Sequence, residues 1–154
     1  MKFGIVDPRT ARAEIIEAPD WQTAGKEIGL ESGRTDSGMI VRDATGGLAY
    51  FCYEFGLFVP TDQQSYFSIL GLDRKPLIAG AAVFYAFDAA GETVDLEELP
   101  PLLFYRDAHE VEKAIRAGDV DRPQIAINNQ VIWRWPERTT DESIISRMRE
   151  HGVL

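Results

Sequence analysis

The stretch P-L-I-A-G-A-A-V-F-Y-A-F, residues 76–87, decides the fold, because it is the longest uncharged run between clear breakers. Pro76 opens it, and the turn-forming residues 88–91, D-A-A-G, close it. From residue 81 on, both faces of an extended chain would be apolar: Ala81, Val83, Tyr85 and Phe87 on one, Ala82, Phe84 and Ala86 on the other. A strand apolar on both faces is typical of the covered centre of a sheet. We therefore predict one central strand over residues 76–87.

Shorter apolar segments before and after this strand predict hairpins. Residues 3–6 and 12–18 flank the turn D-P-R-T, and residues 39–42 and 48–55 flank a turn that contains two glycines. Residues 124–135 are predicted to fold back at an Asn-Asn pair, because asparagine tolerates the left-handed conformation. Further strands are predicted at 57–60, 66–72 and 102–105, and a polar mobile loop at 31–38.

Three segments carry helix signals. Asp20 is placed to cap a first helix whose inner stripe is Trp21, Ala24 and Ile28. Residues 107–117 predict a second helix, capped at its first residue by an aspartate and followed by glycine. Residues 139–142 are predicted to cap a third helix that ends near Gly152.

These elements predict one α+β domain over residues 1–154, with a mainly antiparallel sheet of about five to eight strands and about three helices. We expect residues 1–105 to form the strand-rich core part. Residues 106–154 would add a helix-hairpin-helix extension. The composition, 45% hydrophobic and 27% charged, is ordinary for one globular domain of 154 residues.

Cysteine usage and the N-terminus indicate the compartment. Cys52 is the only cysteine, so no disulfide can form within the chain, as is common in reducing compartments. The first residues lack the apolar run of a secretion signal, and residues 77–87 are too short to span a bilayer. We therefore expect a cytoplasmic protein without membrane association.

The negative charge is concentrated in one part of the chain. The net charge is −9, and residues 88–121 alone carry 10 acids and 3 bases, net −7. A surface of this sign repels phosphates, so direct DNA or RNA binding is not expected. The prediction would fail if folding brought the arginines near the C-terminus together in a basic cleft; these are Arg122, Arg134, Arg138, Arg147 and Arg149.

No motif in the sequence fixes a chemistry. The tripeptide at 36–38, D-S-G, matches aspartic proteases, which need two copies of it. His109-Glu110 begins like a zinc helix, but Lys113 stands where the second histidine belongs. Cys52 has no base near it in the sequence that could activate it as a nucleophile. A carboxylate pair such as Glu54 with Asp62 is expected by chance in a chain with 25 acids, and no phosphate-binding glycine loop occurs. We predict no catalytic residues, no cofactor and no metal site.

Several turns and strand ends together resemble a known family. These are Asp7-Pro8 after the first strand, Glu27-Ile28-Gly29 after the first helix, Gly56-Leu57-Phe58 in the middle, and P-L-I-A-G at 76–80. Over residues 3–105 the chain resembles small proteins without an assigned activity that are carried by phages, plasmids and other mobile elements. The resemblance implies an accessory protein of a mobile element inside a bacterial cell, and it implies no catalytic residue.

Two functions are expected from different features. Within the acidic segment, Glu92, Asp95, Glu97 and Glu98 lie close together with no base along the chain nearer than Arg106. They predict a protein-protein interaction with a basic partner surface, for example a host defence factor that would be inhibited. The alternative is a small-molecule or nucleotide-signal binding domain that uses the aromatic residues around Tyr50, Tyr53 and Tyr85.

Overall fold

The computed structural model describes residues 1–137, 142–150 and 152, and within them antiparallel strand pairs account for all of the sheet structure. The α-helices are α1 Trp21–Lys26, α2 Ala108–Arg116 and α3 Glu142–Glu150. The strands are β1 Lys2–Asp7, β2 Arg12–Glu17, β3 Thr35–Asp43, β4 Gly46–Tyr53, β5 Tyr66–Ile69, β6 Leu77–Ala79, β7 Ala82–Asp88, β8 Thr93–Val94, β9 Leu102–Tyr105, β10 Gln124–Ile127 and β11 Gln130–Arg134. The predicted α+β class, mainly antiparallel and with three helices, is confirmed.

The main sheet has the order β2-β1-β7-β4-β3, and β8 pairs with the end of β7. β7 is its central strand, as predicted, and both of its faces are covered. Val83 and Phe84, neighbours along the strand, are each fully buried, but they belong to different core clusters on opposite faces. Burial on both sides explains why this strand is apolar throughout.

The prediction of one strand over residues 76–87 is wrong, because the run breaks into β6 and β7 at Gly80. Gly80 has φ +80°, a conformation that glycine adopts without strain. The turn sends β6 into a second sheet of order β6-β5-β9 and β7 into the main sheet. One apolar run therefore supplies strands to two sheets and holds them together.

The domain is built in layers. α1 covers one face of the main sheet through buried Ala24. Ile28, which was predicted to continue the inner stripe of this helix, lies after its end at Lys26 and is buried in the same cluster. The second sheet packs against the opposite face, where Phe67 and Ile78 meet Phe84. Beyond the second sheet lies a further cluster that includes residues of α2, the β10–β11 hairpin and α3, with Trp135 fully buried.

Local signals predicted the starts of two helices and one hairpin turn. Asp20 caps α1, accepting a hydrogen bond from the Thr23 amide at 2.7 Å, and Asp107 caps α2. The β10–β11 turn has both asparagines at positive φ, Asn128 at 51° and Asn129 at 64°, as predicted. The predicted cap of the third helix at residues 139–141 lies outside the described residues.

Two loop and strand predictions are wrong. The predicted loop at 31–38 contains a 3-10 turn, Ser32–Arg34, and the start of β3 at Thr35. The predicted strand at 57–60 is instead a 3-10 turn, Gly56–Phe58. Polar residues can form β3 because it is an edge strand with mostly exposed side chains, and its backbone pairs with β4.

Within the described ranges, no helix is both long enough and apolar enough to cross a membrane.

Candidate functional site

Residues 92–98, which carry four acids and which we call the acidic strap, run from the end of β7, where β8 pairs with it, to the start of β1. The amide of Leu96 donates a hydrogen bond to the Lys2 carbonyl at 3.0 Å, which fixes the strap to the strand. The Leu96 side chain is only 5% exposed and, with Leu99, packs over Gly4. A Cβ at Gly4 would overlap Leu99 and lie 3.0 Å from Leu96, so glycine makes room for the strap. The strap is thus anchored by the buried Leu96, by the hydrogen bond between the Leu96 amide and the Lys2 carbonyl, and by the pairing of β8 with β7.

The predicted partner-binding carboxylates, Glu92, Asp95, Glu97 and Glu98, are all exposed on this strap. Two of them contact Lys2. Asp95 accepts a hydrogen bond from the Lys2 amide at 2.8 Å, and the Glu97 carboxylate lies 3.5 Å from the Lys2 ammonium. Glu92 and Glu98 have no ion pair among the described residues. The structure thus brings a lysine to a cluster in which the sequence indicated no nearby base.

Most of the other acidic residues of the segment 88–121 have structural partners. Glu110 accepts hydrogen bonds from the backbone amide and the guanidinium of Arg106, and these contacts hold the pKa of Glu110 below its usual value. Asp107 caps α2, and Asp121 accepts a hydrogen bond from the Lys75 amide at 3.1 Å.

A further acidic residue of α2 joins the helix to the β10–β11 hairpin. Arg122 donates a hydrogen bond to Glu112 at 2.8 Å, and this contact lowers the pKa of Glu112. Arg122 also donates to the Trp135 carbonyl at 3.0 Å. Among the acidic residues of 88–121, the strap residues are therefore the ones that combine exposure with close spacing and little pairing.

The aromatic residues of the alternative hypothesis do not form one site. Tyr50 faces the second sheet, with its ring 5.8 Å from that of Phe84, and burial raises the pKa of Tyr50 to about 12. Tyr85 lies on the opposite face of the main sheet and stacks on Phe51 at 5.0 Å. Tyr53 is on the same face as Tyr85 but at the other end, where it lines a separate cleft. The three tyrosines therefore face three different surroundings.

The cleft at Tyr53 contains functional candidates that the sequence did not indicate. We call it the arginine cleft; it has a volume of about 420 Å³. Arg9, Arg34, Tyr53, Gln63, Gln64 and Gly80 are among its lining residues. Asp7, which is buried, accepts hydrogen bonds from the Arg9 side chain through both carboxylate oxygens, at 3.1 and 3.0 Å. Only the folded arrangement of residues 9–81 brings this set together, so no local signal could have indicated it.

The sequence motifs that were set aside lie on the surface or in the core. Asp36 is exposed on the edge strand β3, and His109 is exposed in the first turn of α2. Cys52 is half-buried, and burial, with the charge of Asp36, raises its pKa to about 12. Such a thiol is protonated at neutral pH and is a poor nucleophile. Within the described residues no three His, Cys, Asp or Glu side chains are grouped so that they could hold a metal ion.

In the described part of the chain, two packed antiparallel sheets, the β10–β11 hairpin and three α-helices define an α+β protein. No family model, curated protein or solved structure matches this chain. The side chains of the strap and the cleft are therefore the basis for assigning a function.

Proposed function

We propose that this chain is a non-enzymatic accessory protein of a mobile element that acts inside a bacterial cell by binding a protein with a basic surface. The binding surface is the acidic strap, with Glu92, Asp95, Glu97 and Glu98 as the contacting residues. The observation that supports the proposal is the exposure of all four carboxylates on a segment that Leu96 anchors to β1.

Anchoring favours binding because it reduces the entropy that association would otherwise cost. A carboxylate on a free loop loses conformational freedom when it is captured, whereas one on a fixed segment loses less. Asp95 is fixed twice, by the neighbouring Leu96 and by its own hydrogen bond from the Lys2 amide. Closely spaced carboxylates also attract a basic surface over a distance and raise the rate of association.

The kind of partner follows from the charge. A basic cleft that normally holds phosphates would accept carboxylates in their place, because arginine and lysine bind both groups. A host defence factor with such a cleft is the partner that we propose, and inhibition is the expected effect. The family resemblance at 76–80 and at Gly56-Leu57-Phe58 supports the setting of a mobile element. We propose no direct contact with DNA or RNA, because the net charge of −9 opposes it.

The test compares two variants with the same change of charge. The strap variant carries Glu92→Gln, Asp95→Asn, Glu97→Gln and Glu98→Gln. The control variant carries the same kind of change at four exposed acids elsewhere: Glu54→Gln, Asp62→Asn, Asp73→Asn and Asp119→Asn. Both variants and the unchanged protein are used to capture partners from a bacterial host lysate, and a captured protein is then purified and its affinity measured.

The proposal expects a captured protein with a basic surface whose binding is lost in the strap variant and kept in the control variant. Binding should also weaken when salt shortens the Debye length from about 10 Å at 0.1 M to about 3 Å at 1 M. Equal loss in both variants would show that only net charge matters, and unchanged binding in the strap variant would show that another surface is used. Retardation of a short DNA or RNA by the protein would contradict the predicted absence of nucleic-acid binding.

A further inference from the structure

The arginine cleft lies at the end of the main sheet where the chain leaves β1 and β4 and enters β7. Val6 of β1 and Cys52 of β4 both pair with Ala82, the first residue of β7. The residues after Val6, the residues after Cys52 and the residues before Ala82 therefore lie close together. Arg9 comes from the turn after β1, Tyr53 is the last residue of β4, and Gly80 precedes β7. The cleft is thus assembled where the chain also passes between the two sheets.

Arg9 is held in place before any ligand arrives. Its Nε and Nη2 donate to the two oxygens of buried Asp7, and the Arg9 amide donates to the same carboxylate at 3.1 Å. The Arg9 side chain is nevertheless 58% exposed, so its remaining donors are open to the cleft. A guanidinium fixed by a buried carboxylate is a preorganised donor for an anionic ligand.

Arg34 supplies the second cation. It is exposed, lines the cleft and makes no ion pair with any described residue. Its position is set by the backbone, because its carbonyl accepts a hydrogen bond from the Glu54 amide at 3.0 Å. The guanidinium of Arg34 is therefore available to bind an anion, and a substitution there would leave the backbone contact in place.

The other walls suit a flat ring and polar groups. Tyr53 is half-buried and packs its ring against Phe55 at 5.9 Å, which limits its motion. Gln64 forms a fixed wall, because its amide donates to the Gly56 carbonyl at 3.1 Å and accepts from the Ser65 amide at 3.2 Å. Gln63 is exposed and lines the same cleft, so it can bond hydroxyl or amide groups.

The balance of charge limits how many phosphates a ligand can carry. The charge of Arg9 is offset by Asp7, and Glu31, which also lines the cleft, opposes Arg34. A triphosphate would bring more negative charge than these two guanidiniums can offset. Of the nucleotides, a monophosphate leaves the smallest excess of negative charge in the cleft. Glu31 and Gln63, which line the cleft, can accept hydrogen bonds from ribose hydroxyls.

We propose that the arginine cleft binds a nucleoside monophosphate, with the phosphate held by Arg9 and Arg34 and the base placed against Tyr53. This site is separate from the acidic strap and does not depend on the proposed protein partner. A volume of about 420 Å³ lies within the range of small-molecule sites, roughly 300–1,000 Å³.

Isothermal titration calorimetry tests the proposal with six probes: the four ribonucleoside 5′-monophosphates, adenosine and inorganic phosphate. At least one monophosphate should bind with a micromolar Kd. Adenosine and phosphate alone should each bind at least about tenfold more weakly, because each lacks one half of the recognition. Arg34→Gln should weaken the monophosphate by about tenfold or more, since it removes a charge-assisted contact.

Arg74→Gln is the matched control, because Arg74 is an exposed arginine that lines a different groove. The Arg74→Gln variant should bind the monophosphate with the same affinity as the unchanged protein. The strap variant should also bind the monophosphate normally, which separates this site from the proposed protein interaction. The inference is overturned if none of the monophosphates binds below millimolar concentration, if Arg34→Gln and Arg74→Gln have equal effects, or if phosphate alone binds as tightly as the nucleotide.

Discussion

Leu96→Ala should loosen the part of the acidic strap that lies against β1, while it leaves all four strap carboxylates in the chain. Leu96 is 5% exposed and packs over Gly4 with Leu99. Truncation of a buried leucine to alanine costs about 2–5 kcal/mol, and the loss is smaller where the surroundings can close on the cavity. The strap lies at the edge of the core and can move inward, so we expect about 2–3 kcal/mol.

The assay is urea unfolding followed by tryptophan fluorescence. With a slope of about 1–3 kcal/mol per molar urea, the loss would lower the midpoint by roughly 0.7–3 M without a large change in slope. Leu70→Ala is the control, because the Leu70 side chain is 42% exposed and its substitution should change stability by less than about 0.5 kcal/mol. If Leu96→Ala lowers the free energy of unfolding no more than Leu70→Ala does, the anchoring role of Leu96 is refuted.

Three further predictions follow from other contacts. Gly38→Ala should destabilise the domain by about 1–3 kcal/mol, because a Cβ there would overlap the ring of Tyr50; urea unfolding measures it. Arg122→Gln should lower the free energy of unfolding by about 0.5–1 kcal/mol at pH 7, and by less at pH 3. Arg122 lowers the folded-state pKa of Glu112, so the pair's contribution exists above the unfolded pKa and is lost as pH falls through the folded one. Cys52, whose pKa burial raises to about 12, should react with a disulfide reagent at pH 8 at least about tenfold more slowly than an exposed thiol.

Each of these predictions has a matched control. Gly33→Ala should be nearly neutral, because a Cβ at Gly33 would meet nothing within 4 Å. Arg74→Gln should have the same small effect at both pH values, because Arg74 has no ion pair among the described residues. Cys52 should react at the ordinary rate once urea unfolds the chain. Equal loss of stability in Gly38→Ala and Gly33→Ala would contradict the first prediction. The second would be contradicted if the loss of stability in Arg122→Gln did not depend on pH, and the third if Cys52 of the folded protein reacted as fast as an exposed thiol.

The sequence predicted the fold where local signals decide it. Hairpins and helix starts depend on a few adjacent residues, such as Asp20 or the Asn128-Asn129 pair, and those were placed correctly. The break at Gly80 was missed because an apolar run looks the same whether it forms one strand or two in different sheets. The strand start at Thr35 was missed because edge strands can be polar and are defined by their backbone pairing.

The candidate sites were predicted less completely, for the same physical reason. Charge density along the chain indicated Glu97 and its neighbours, but Lys2, 95 residues away, reaches them only after β1 and the strap are side by side. The arginine cleft needs Arg9, Arg34 and Tyr53 from three separate segments, none of which has a recognisable motif. Contacts over such separations are set by the packing of the two sheets, which the sequence does not display.

The position of the two candidate sites makes them independent. The strap is fixed at Lys2, where β1 begins, and the arginine cleft lies beyond Asp7, where β1 ends. Lys2 and Asp7 are separated by five strand positions, about 17 Å. The Debye length is about 8 Å at physiological salt, so exposed charges of one site hardly affect the other. Substitutions in the strap and in the cleft should therefore have additive effects, and the failure of one proposal would leave the other intact.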